Sequence, residues 1–160
     1  MLLLTGVALL QSVLFARVGL WGARFDLMFL VVLIWAVVRG PDEGLVWGFI
    51  GGLLIDMLSG GPMGATPIAL VLVALFAGQG WGQGIGSPAM RVLLLALAGG
   101  LIHHLAVLLL MAWTGHTLDW GYLITRVTVP SVLLNVALAP LVHMPLAWLE
   151  RKTRREGFGL

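Results

Sequence analysis

Apolar residues fall into six blocks along the chain, separated by short breaks of glycine, proline or charge, and each block reads as a hydrophobic helix. Met1 to Ala16, continued by Val18 to Trp21, is long enough at about 1.5 Å per residue to cross a hydrocarbon core of about 30 Å. A connection holding Gly19, Gly22, Arg24 and Asp26 leads to the second block, Leu27 to Val38. That block is short for a span, so it must run back into the connection, tilt little, or thin the bilayer locally. The fourth block is Pro67 to Gly78, with room to continue towards Ile85, and the fifth is Arg91 to Trp113. The sixth, Tyr122 to Trp148, contains Arg126, Pro130, Asn135, Pro140, His143 and Pro145, so a kinked or broken helix is expected there.

The third block, Gly44 to Leu58, has the strongest internal pattern. Gly44, Gly48 and Gly52 recur at a four-residue step that ends on Asp56. Residues four apart share one helix face, so this helix offers a smooth groove with one carboxylate at its far end. In lipid, such a face lets another helix backbone approach closely. Arg39-Gly40-Pro41-Asp42-Glu43 makes the turn before it, with proline near the helix start and acids at its positive end. Ser59-Gly60-Gly61-Pro62 stops it.

Composition fixes the class. The chain is 60% hydrophobic and only 10% charged, against about a quarter charged in ordinary soluble domains. Its mean hydropathy is +1.05. A soluble bundle would lack the polar residues to cover its exterior. The expectation is an all-α polytopic membrane protein, with about six transmembrane helices in one bundle. Residues 1 to 150 form a single transmembrane domain and 151 to 160 a basic cytoplasmic tail.

Charge changes the picture mainly through its placement. The net charge of +2 does not point to nucleic acid, because Arg151, Lys152, Arg154 and Arg155 sit together after the last apolar block, where they mark a cytoplasmic membrane surface. With six spans, both termini lie on one side. Placing them inside collects Arg39, Arg91 and the tail there, against Arg17, Arg24 and Arg126 outside. Trp35, Trp47 and Trp148 then fall near inner ends, and Trp21, Trp113 and Trp120 near outer ends, as aromatic belts. The chain holds no cysteine, which removes disulfides and thiol chemistry. The glycine alternation from Gly78 to Gly84 follows no strand, so it reads as a flexible loop and not as a dinucleotide fingerprint.

Ionisable groups at membrane depth are the candidate functional residues, with structural pairing as the competing reading for each. Asp56 has two open arrangements. It pairs with Arg126, or it lies near the outer interface, solvated or bonded to the loop that follows. His103 and His104 are adjacent, so they point about 100° apart and cannot both face one site. One buried hydrogen bond, with Asn135 as a partner at similar depth, is the plainer expectation. Zinc is disfavoured, because the two histidines lack helical ligand spacing and no thiol is available. No serine nucleophile motif, carboxylate pair or metalloprotease signature is present, so no enzyme activity and no cofactor are expected.

Two blocks carry a family resemblance. The run from Gly48 to Gly64, with Asp56, Ser59, Pro62 and Gly64 in place, and the run from Val129 to Leu141, with Pro130, Asn135 and Pro140, resemble the rod shape-determining membrane proteins of the MreD family. Asp26-Leu27, the Arg39-Gly40-Pro41 turn, the His104 region and the basic tail agree with it. The resemblance implies a non-enzymatic scaffold of the bacterial cell-elongation (rod) complex in the cytoplasmic membrane. Such a scaffold binds MreC and, through it, connects to the glycan polymerase RodA, a class B penicillin-binding transpeptidase and the MreB filament. On this reading the Gly44, Gly48, Gly52 face and the Asp56, Ser59, Pro62, Gly64 turn serve helix packing or partner docking. The alternative is a small-molecule-binding module like the S component of energy-coupling factor transporters. It is weakened by short, charge-poor outer connections and by the lack of paired alanines at four-residue spacing in the first helix.

Overall fold

The computed structural model describes residues 2–15, 25–59, 63–80, 87–115 and 117–156. Pro62 and the expected loop at 81–86 lie outside the described residues, as do Arg17, Trp21 and Arg24. The described residues are helical almost throughout and contain no strand. The elements are α1 (Leu2–Leu10), α2 (Leu27–Arg39), α3 (Pro41–Ser59), α4 (Ala65–Gly78), α5 (Pro88–Trp113), a single turn α6 (Trp120–Tyr122) and α7 (Val129–Glu156). Wide π-helical turns follow α1 (Gln11–Phe15) and join α6 to α7 (Leu123–Thr128). Among the described residues two stretches are long and apolar enough to cross a membrane, Ala89–Trp113 and Trp120–Lys152.

The bundle is built around α2. Its residues from Met28 to Ala36 are all buried, and it touches α1, α3, α4, α5 and α7. A helix apolar on every side suits a core as well as lipid, and α2 is enclosed by its neighbours. It does not extend back into the connection, because Phe25 and Asp26 are not helical. At about 1.5 Å per residue, its thirteen residues cover about 20 Å. Its N-terminal end therefore lies inside the protein, where side chains from its neighbours cap it.

α2 ends at Gly40, whose φ of 98° suits glycine and whose N–H returns to Ala36 O at 2.9 Å. Pro41 then opens α3 and rests against Gly78 of α4, where a Cβ would come within 2.6 Å of Pro41 Cα. α7 remains helical through Pro140 and Pro145, and the irregularity of the sixth block falls before them. It lies in the wide turns from Leu123 to Thr128. α7 also runs without interruption past residue 150 into the basic segment.

Candidate functional site

The glycine ladder of α3 is occupied from within the chain. Gly44, Gly48 and Gly52 are buried. A Cβ on Gly44 would stand 2.6 Å from Ala36 Cβ of α2, one on Gly48 3.0 Å from Leu70 O, and one on Gly52 2.4 Å from Pro67 Cα of α4. The off-ladder Gly51 packs on Met28, whose Sδ would be 2.7 Å from an added Cβ. Backbone meets backbone along this contact, as small residues allow.

At the end of the ladder, Asp56 is 4% exposed and its Oδ2 accepts the Gly64 N–H at 2.7 Å. Gly64 itself has a φ of 99°, which the turn into α4 requires. Of the two arrangements open to Asp56, the structure takes the bond to the following loop. Arg126 is exposed in the wide turn before α7 and forms no ion pair with Asp56. Ser59 is exposed at the last residue of α3.

A second constellation gathers at the N-terminal end of α2. Asp26 caps the helix, its Oδ1 accepting Phe29 N–H at 2.9 Å and Gln11 Nε2–H at 3.1 Å. Gln11 reaches back from the wide turn after α1, and its Oε1 accepts Met28 N–H at 2.8 Å. From α5, His103 Nε2 lies 3.0 Å from Asp26 Oδ2. From α7, Asn135 Oδ1 accepts Asp26 N–H at 3.0 Å. Asn135 is fully buried and His103 5% exposed, with Ser131 and Thr128 also buried on the same side of α7. His103 additionally lies against the Phe29 ring at 5.4 Å.

The one buried bond expected of the histidine pair is made by His103, and its partner is Asp26, which Asn135 also contacts. His104 turns away and Nδ1–H donates to Gly100 O at 3.1 Å, within its own helix. Asp26 and Gln11 were not singled out for this site from the sequence. The signal was there in a weak form, since Gln11 is a lone amide in an uncharged apolar block and Asp26 stands one residue before a helix too short to span.

The opposite end of α2 carries a third polar group. Trp35 Nε1–H donates to Glu43 Oε2 at 3.0 Å, and Arg39 pairs with Glu43 at 3.5 Å and with Glu150 at 4.0 Å. Trp35 stacks on Trp47 at 4.1 Å. Trp35 is thus a buried side chain holding α2 to α3, not a belt residue facing lipid. Among the described residues no cluster of three His, Cys, Asp or Glu could hold a metal ion.

These features define a small helical membrane protein whose central helix meets polar side chains of its neighbours near both ends. Residues 1–153 match the family model of the rod shape-determining protein MreD, and the chain belongs to that family. Its role accordingly lies in rod shape determination. No curated protein and no solved structure matches the chain.

Proposed function

We propose that the chain is a multi-pass protein of the bacterial cytoplasmic membrane with both termini inside, a transmembrane domain over residues 1 to 150 and a basic tail over 151 to 160. It acts as a non-enzymatic scaffold of the rod complex, binding the membrane helix of MreC and thereby supporting lateral peptidoglycan synthesis. RodA, its class B penicillin-binding transpeptidase and MreB are the further members it connects. The observation that carries this reading is the family match over nearly the whole chain.

The arrangement of the helices supports it in one respect. The glycine face of α3 is filled by α2 and α4, so it works as helix packing, and a partner helix meets a different surface. Beyond the ladder Ser59 and Met63 are exposed, and docking is assigned to this end of α3.

The test is affinity purification of the tagged protein from native membranes in mild detergent, with mass spectrometry of what stays bound. Recovery of MreC, with or without RodA and its transpeptidase, is the expected result. Recovery of an ATPase pair with a coupling protein would overturn it in favour of a transporter subunit.

A further inference from the structure

The polar cluster at the start of α2 plays no part in the scaffold reading, and its hydrogen bonds do not close on themselves. Asp26 Oδ1 takes two donors, Asp26 Oδ2 takes His103, Gln11 Oε1 takes Met28 N–H, and Asn135 Oδ1 takes Asp26 N–H. Two buried atoms are left over, Asn135 Nδ2 and His103 Nδ1, and neither has a hydrogen-bond partner. They come from different helices, α7 and α5, and both side chains are anchored at 3.0 Å on the same residue, Asp26. Buried polar atoms are normally satisfied, and more strictly so where lipid surrounds the protein.

The chemistry of the two atoms narrows what completes them. Asn135 Nδ2 only donates. A carboxylate only accepts, so His103 Nε2 carries the hydrogen directed at Asp26, and Nδ1 is left to make one further hydrogen bond of its own. A cation needs several free oxygens, and the oxygens here already hold hydrogens. An anion would lie against the Asp26 carboxylate. A neutral hydroxyl group meets both needs, accepting from Asn135 Nδ2 and either donating to Nδ1 or accepting from it.

We propose that Asp26, His103 and Asn135 form a binding site for one neutral hydroxyl group, either a water molecule or the alcohol of a small guest, held between α2, α5 and α7. Buried waters of this kind complete about three hydrogen bonds each and are structural components.

The test is solid-state NMR on the full, isotope-labelled chain in lipid bilayers, following magnetisation transfer from water protons to side-chain nitrogens. Asn135→Leu assigns the Asn135 amide and His103→Phe the ring. If the latter does not fold, histidine-selective labelling combined with substitution of His104, His116 and His143 in turn assigns the remaining ring to His103. The expected result is transfer to His103 and Asn135 several-fold faster than to the amides of Leu33 and Ile34, which are equally buried. In Asn135→Leu the His103 transfer should fall. Native mass spectrometry of the same preparation separates the two sources: no retained organic mass assigns the hydroxyl to water. A retained alcohol with NMR contacts to Asn135 assigns it to a guest, even if transfer from water is slow. Transfer as slow as in the apolar core with no retained guest would overturn the proposal.

Discussion

The contact between α3 and α4 and the contact around Asp26 hold the same bundle by opposite means. Between α3 and α4 there is almost no side chain at all: Gly48 and Gly52 bring one helix against the backbone of the next. Around Asp26, four segments far apart in sequence are joined by polar side chains at 2.8 to 3.1 Å. In lipid, apolar side chains gain little by leaving the solvent for each other, so helices associate either by close approach or by polar bonds. Close approach dominates between α3 and α4, and polar bonds gather Gln11, α5 and α7 at the start of α2.

The two contacts should therefore fail differently. The largest effect is expected for Asp26→Ala, which removes the cap of α2 and leaves His103 and Gln11 without their partner. A loss of about 3–5 kcal/mol is expected for breaking one side of a buried pair, measured as unfolding in detergent. Asp26→Asn, which keeps the cap oxygen, should recover part of it.

Next comes Gly52→Ala, where the added Cβ meets Pro67 backbone at 2.4 Å and has no flexible side chain to displace. About 1–3 kcal/mol is expected from overpacking. Gly6→Ala, with nothing within 4 Å of the new Cβ, should change stability by far less, and equal losses at the two glycines would show that the α3 groove is not specially tight. Asn135→Leu follows at about 1–3 kcal/mol, because it leaves Asp26 N–H unpaired.

The smallest effect is expected for Arg126→Gln, an exposed change within about 0.5 kcal/mol. Combined with Asp56→Asn it should be additive, and a coupling between the two above about 0.5 kcal/mol would restore the ion pair that the geometry lacks.

Of these two contacts, the first was legible in the chain and the second was not. A four-residue glycine step declares a close-packed face whatever lies against it, because the step follows from helix geometry alone. The sequence could not say whether that face held the chain's own helix or a partner's, and α4 decided it. Likewise His103 and Asn135 were recognisable as polar groups at depth, but their common partner was not. The sequence reading placed Asp26 in the connection between the first two blocks. In the structure it stands where Gln11, His103 and Asn135 meet the start of α2.

By itself, the sequence determined what depends on local pattern and on total composition: helices in place of strands, their approximate ends, residence in lipid, the glycine face, and membership of the MreD family. Only the tertiary structure decided that α2 is the centre, that Asp26 collects Gln11, His103 and Asn135, and that Asp56 bonds to Gly64 and not to Arg126. The reason is that hydrophobic periodicity fixes which side of a helix is buried, while the meeting of single polar groups depends on the length, depth and rotation of several helices together. No one segment of the chain encodes those.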